Sequence, residues 1–370
     1  MRHSTHSIAA RRWRTVFFAL LVFGLLATYV LPTDSVWATP NQSPLRQTVP
    51  TLTPTPVPSW IWIGHAGGEP ADYAPSGVPD FDQKQRDWSA PGQTELWTHC
   101  GPAAVADALW WLDSRYEPGS TEPPAVADGH DLVISLDGWD DHDAQNTVPL
   151  VNELAHRLDT NGVRTGGDHL GTDVSLMVPA LEAYLADQGV QGDYGVLAVA
   201  SPSFDQLVAW VRRGDGIVLQ LGFWEDQGDR WVYLGSHYAA VAGAEPKNRF
   251  VAISDPFRDA FESGRVGLGR SPSPHAYPHA GDMHNDAPYV SQDAYSAVAA
   301  QGPGGVWALE DYVHSYQEVS GLFDQNLAPA FETYRDYYLG SAITTKVDYA
   351  IVLSHRTYTL YLPVLLKGAR

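Results

Sequence analysis

Cys100-Gly101-Pro102-Ala103-Ala104-Val105-Ala106-Asp107-Ala108-Leu109-Trp110-Trp111-Leu112 reads as a buried helix. Its Ala and Leu content favours helix, and Pro102 falls in the first turn, where the missing N–H costs nothing. Apolar side chains cover nearly the whole circumference, as in a helix enclosed on all sides. Cys100 stands at its head, facing backbone N–H groups that no helical carbonyl can satisfy and the positive end of the helix dipole. That is a setting for a nucleophilic thiol. A lone cysteine otherwise serves as a small core hydrophobe.

Moving outward, the nearest chemistry lies on two predicted strands. Gly235-Ser236-His237-Tyr238-Ala239-Ala240-Val241-Ala242-Gly243 puts a histidine at the mouth of one strand, and Phe250-Val251-Ala252-Ile253-Ser254-Asp255-Pro256 ends the next in a carboxylate. Glu245-Pro246-Lys247-Asn248 is the turn between them. A turn centred between Pro246 and Lys247 pairs His237 with position 256 and Asp255 with position 238, one step out of register. A single bulge aligns them on one face. Asp255 then accepts a hydrogen bond from one ring nitrogen of His237 while the other faces Cys100.

The Cys-Gly-Pro helix start, the His-Tyr-x-x-Val-x-Gly strand and the Ile-Ser-Asp-Pro strand end resemble the papain-like bacteriocin-processing, double-glycine-leader peptidases. The resemblance spans about residues 90 to 258. It implies Cys100 as nucleophile, His237 as general base and acid, Asp255 as the residue that orients the imidazole, and hydrolysis of an amide through a thioester. That family carries a glutamine about six residues before the cysteine, whose side chain joins the cysteine's N–H in holding the oxyanion. Here the nearest is Gln93, seven residues before, so the resemblance assigns it that role only with one extra loop residue. The leader-processing relatives are attached to export transporters and this chain shows no transporter segments, so cleavage after a double glycine is not carried over.

Around these motifs, further helices are predicted at Thr147 to Leu158, closed by Asn161-Gly162, at Pro179 to Asp187, closed by Gly189, and at Phe204 to Arg213, capped by Ser203 and ended by Gly214. Strands are predicted at Ile217 to Leu221, Arg230 to Leu234, Tyr238 to Ala244, Arg249 to Ser254, Val306 to Leu309, Lys346 to Leu353 and Thr357 to Leu366. Helices first and strands later make the chain α+β. The expectation is a papain-like fold with the nucleophile helix packed on an antiparallel β-sheet, occupying residues 60–258. Residues 259–370 follow as a loop- and strand-rich C-terminal extension, either part of the same sheet or a small appendage.

At the amino terminus, Arg2, Arg11, Arg12 and Arg14 precede an apolar run from Val16 to Leu31 and the Val36-Trp37-Ala38 cleavage pattern. Residues 1–38 therefore read as an export signal, or as an anchor if it is not cleaved. Residues 39–59, with Thr53-Pro54-Thr55-Pro56-Val57-Pro58, form an extended linker. The expected location is secreted or cell-surface associated, with a membrane tether if the first segment stays. In an exported protein an idle thiol is an oxidation liability, which strengthens the functional reading of Cys100.

The chain of 370 residues carries 23 Lys+Arg against 43 Asp+Glu, a net charge of −20, which argues against a nucleic-acid partner. Its single cysteine excludes an internal disulfide and any multi-cysteine zinc site. Asp137, Asp140, Asp141, His142 and Asp143 offer oxygen ligands for calcium but lack the EF-hand spacing. His275, His279, Asp282, His284 and Asp286 have metal-like spacing only on a helix, which Pro274, Pro278 and Gly281 deny. No metal or cofactor is assigned. Trp110 and Trp111 belong to the core of the nucleophile helix, while Trp224 and Trp231 flank an acidic turn and either pack the hairpin or line a substrate groove. The function expected is a cysteine peptidase acting on a peptide or protein, with a cell-wall amide hydrolase or acyltransferase and a non-catalytic surface binding module as the alternatives.

Overall fold

The computed structural model describes residues 60–64, 77–83, 88–89, 91–92, 97–116, 129–134, 144–167, 169–257, 292–310, 312–313 and 342–356. Two of the expectations above, the signal or anchor and the linker, lie outside the described residues. So do Gln93, the acidic cluster at 137–143, the histidine-rich loop at 275–286 and the last predicted strand.

Helix α1, Cys100–Tyr116, begins at the cysteine itself, and every residue from Cys100 to Ser114 is buried. It packs against the sheet on one side and α2 on the other, which explains why no polar face was needed. Its two acids are answered by backbone donors: Asp107 accepts from the N–H of Phe81 at 3.1 Å and Asp113 from that of Leu132 at 2.7 Å.

Helix α2 spans Ala144–Arg157 and α3 spans Val174–Asp187. The sequence placed the start of α3 at Pro179, the usual position of a helical proline. The helix instead begins five residues earlier, because Asp173 caps it by accepting from the N–H of Ser175 at 2.8 Å and Met177 anchors the first turns in the core. Pro179 then costs one intrahelical bond within an otherwise well-fixed helix. Arg157 ties the two helices, reaching Glu153 at 2.8 Å and Asp187 at 2.7 Å. Helix α4, Phe204–Arg213, has both caps where the sequence put them: Ser203 and Gln206 form a capping box, and Gly214 ends the helix with φ +73°.

Among the described residues, eight strands make one antiparallel sheet: β1 Ile61–Trp62, β2 Tyr194–Ala200, β3 Gly216–Asp226, β4 Trp231–Glu245, β5 Phe250–Ser254, β6 Asp293–Ala299, β7 Trp307–Leu309 and β8 Ile343–His355. The chain is therefore α+β. Strand β4 pairs with β3 on one edge and β5 on the other, and the run β5–β6–β7–β8 returns to β3. Six strands thus close on themselves as a barrel, which removes their free edges. Strands β1 and β2 extend it at β4 and β8. The stretches predicted as two strands, 230–234 and 238–244, are one continuous β4, carried past Gly235 (φ +144°) by a register shift against β3. Strands β6, β7 and β8 belong to this sheet, so the described part of residues 259–370 is not a separate appendage.

Candidate active site

The start of α1 is held by a network from the segment between α2 and α3. Asn161, in the left-handed region at φ +60°, donates its side-chain amide to Thr98 Oγ1 at 2.7 Å and accepts from the N–H of Gly171 at 2.9 Å. The Thr160 and Thr172 hydroxyls meet at 2.8 Å, and the Tyr238 hydroxyl donates to the Thr172 carbonyl at 3.1 Å. Gly101 sits directly against Thr172, so close that a Cβ there would lie 2.7 Å from its Oγ1. The glycine of the Cys-Gly-Pro start is thus required by the approach of a neighbouring segment.

His99, immediately before Cys100, was not singled out from the sequence. It is stacked on Trp88 at 5.4 Å with its Nδ1 2.9 Å from the Trp88 carbonyl. Burial lowers its pKa to about 4 despite that hydrogen bond. It is a neutral wall residue and takes no part as a charged partner of the thiol.

The three predicted residues converge. Cys100 is free and 4% exposed, sheltered but not sealed. His237, fully buried on β4, has its Nε2 2.6 Å from Asp255 Oδ1, and Cys100 lies near enough to the ring to raise its pKa; Nδ1 is the ring nitrogen that Asp255 does not use. A bulge brings them together. Near the turn Gly243 faces Ala252, but beyond the register shift Val241 faces Ile253 and Ala240 faces Ser254. Continuing that ladder sets Asp255 opposite Ala239, two residues from His237 and on its face. Without the extra residue Asp255 would oppose Ala240 and point away. The turn itself lies one residue later than the sequence suggested: Glu245 pairs with Phe250.

Burial pulls the His237 pKa down, but the Asp255 charge and hydrogen bond, with Cys100 beside it, raise it to about 10. Burial likewise pushes Asp255 up, and His237, Tyr312 and the Phe257 N–H together hold it below the ordinary carboxylate range. The imidazolium and the carboxylate therefore stabilise each other in a site nearly closed to water. Tyr312 was missed entirely. Its hydroxyl donates to Asp255 Oδ2 at 2.5 Å, and the Phe257 N–H donates to Oδ1 at 3.0 Å. No motif surrounds Tyr312 in the sequence; only closure of the barrel brings it here.

Trp224 and Trp231, both half-buried, pack around a buried lysine. Lys346, buried on β8, sits 3.7 Å from the Trp231 ring centre and 5.3 Å from that of Trp224, and donates to the Pro303 carbonyl at 2.8 Å and to that of Gln301. Among the described residues no group of His, Cys, Asp and Glu is arranged to hold a metal ion, and no helix is long and apolar enough to cross a membrane. No family model, curated protein or solved structure matches this chain.

Proposed function

We propose that this protein is an exported papain-like cysteine hydrolase, a peptidase that cleaves amide bonds of a peptide or protein through Cys100, His237 and Asp255. One observation carries the reading: the His237 ring, bonded to a buried carboxylate at 2.6 Å, lies beside a thiol at a helix start. This is the relay a cysteine nucleophile needs, a base within reach and a third group fixing that base.

In the reaction, the Cys100 thiolate adds to the substrate carbonyl carbon. The oxygen becomes an oxyanion facing the Cys100 backbone N–H, with Gln93 as the second donor implied by the family resemblance. His237, as imidazolium, gives its proton to the leaving amine as the C–N bond breaks, which leaves a thioester and a neutral imidazole. That imidazole takes a proton from water, the hydroxide adds to the thioester, and the carboxylic acid departs as the thiolate returns. Asp255 keeps its charge throughout. The chemistry needs no cofactor, and the acidic surface disfavours nucleic acid. The arginine-flanked apolar segment supports export to the cell surface, with a membrane tether if it is retained.

The test is the rate of Cys100 alkylation by iodoacetamide against pH, in the wild type and His237→Ala, together with turnover of a peptide library. Alkylation that stays fast well below pH 8 and is lost in the variant is the expected result, with Cys100→Ala inert and His237→Ala slowed about a thousandfold in turnover. An ordinary thiol profile in both proteins, or peptide turnover that survives Cys100→Ala, overturns the reading.

A further inference from the structure

We propose that Tyr312 is a positioning residue of this site, holding the Asp255 carboxylate by the oxygen that His237 does not use; the inference rests on the hydrolase reading above. The observations are geometric. Asp255 Oδ1 is shared by His237 Nε2 at 2.6 Å and the Phe257 N–H at 3.0 Å, while Oδ2 receives the Tyr312 hydroxyl at 2.5 Å. A carboxylate gripped through one oxygen can still rotate about its Cβ–Cγ bond, a torsion with broad, shallow wells. A donor on the second oxygen fixes the plane, and with it the direction in which the imidazole is held.

The phenol is itself fixed. Tyr312 is fully buried, its ring parallel to that of Phe223 at 6.4 Å and edge-on to Tyr295 at 5.2 Å. It follows β7, the short strand bridging β6 and β8, so its position depends on the barrel being closed. Tyr295 makes an informative control. Its hydroxyl donates to Asp293 Oδ2 at 3.2 Å, so it belongs to the same aromatic cluster but serves a different carboxylate.

A hydrogen bond to the charged form of Asp255 keeps that form to lower pH. Its loss lets the carboxylate take up a proton sooner, and without that negative charge the His237 imidazolium loses its support. Tyr312→Phe preserves the ring and removes only the donor. The experiment compares the acid limb of the Cys100 alkylation profile in wild type, Tyr312→Phe and Tyr295→Phe, with thermal melts alongside.

In Tyr312→Phe the limb is expected to move up by about one pH unit, so that alkylation on the limb slows about tenfold. At pH 8 the rates should stay within about twofold, and Tyr295→Phe should follow the wild type throughout. Should Tyr312→Phe not fold, 3-fluorotyrosine at position 312 keeps the shape while making a stronger donor, and the limb should move down instead. Superimposed profiles for Tyr312→Phe and wild type, with a His237-dependent limb present in both, overturn the positioning role alone. Equal shifts in Tyr312→Phe and Tyr295→Phe assign the effect to packing and overturn it as well. A wild type with no His237-dependent limb overturns both this role and the hydrolase reading.

Discussion

Burial and charge act on the His237 imidazole in opposite directions, and charge wins because Asp255 lies 2.6 Å from Nε2. The consequence for stability follows from the direction of each shift. His237 titrates higher in the folded state, about 10, than its ordinary 6.5, so its contribution is complete below pH 6.5 and is lost as pH rises towards 10. Asp255 titrates lower than its ordinary 3.8, so its contribution is present above that value and is lost as pH falls through the folded pKa. Chemical denaturation across pH 6.5 to 10 should show unfolding free energy declining with a slope that His237→Gln lacks. A wild-type slope no steeper than that of the variant would contradict the paired state. The residue types of this site were legible in the sequence because each motif carries its own local logic: a proline-started helix, a strand mouth, a strand end. Tyr312 has none. Its surroundings in the chain say nothing about the carboxylate it reaches, and residue-level reading stops where the partner is supplied by topology.

Between elements, the decisive contact is the one between α1 and the segment that follows α2. Thr172 presses on Gly101 at the helix start while Asn161 ties Thr98 to Gly171. Gly101→Ala must move either Thr172 or the head of the helix. It should cost about 1–3 kcal/mol in thermal unfolding and slow Cys100 alkylation. Thr172→Ala in the same chain should restore much of both, and the absence of any rescue would place the strain elsewhere. Helix α4 was readable to the residue because serine and glycine caps are local signals. The start of α3 was not, since Pro179 imitates a first-turn proline and the true cap, Asp173, precedes it by six residues. Strands β2, Tyr-Gly-Val-Leu-Ala-Val-Ala, and β6, Asp-Ala-Tyr-Ser-Ala-Val-Ala, were overlooked for a different reason. Their alanines and glycine carry little strand preference, and both are held as strands by what they pair with. The bulge between β4 and β5 was anticipated as a need, but its place near Ala242 depends on the observed turn.

For the molecule as a whole, the sheet sets the limits of the folding unit. Strand β8 lies against β3 along nearly its full length on one edge and against β2 and β7 on the other. A boundary at residue 258 would remove β6, β7 and β8, the last of which is the partner β2 and β3 share, and take away Tyr312. A chain ending at 258 should therefore lack a cooperative thermal transition and near-ultraviolet dichroism; a sharp transition from that fragment would show that the first half folds alone. Barrel closure could not be read from sequence, because β8, which pairs with both β2 and β3, lies more than 100 residues further along and pairing over such a span leaves no local periodicity. The same arrangement governs when the protein acquires its chemistry. During synthesis the thiol, the imidazole and the carboxylate all emerge well before residue 343, yet the barrel that orients them waits for β8, the last of the described strands. A nascent chain thus carries its thiol without the arrangement around it, and the hydrolase proposed above would stay inert in the cell that makes it until β8 has been added.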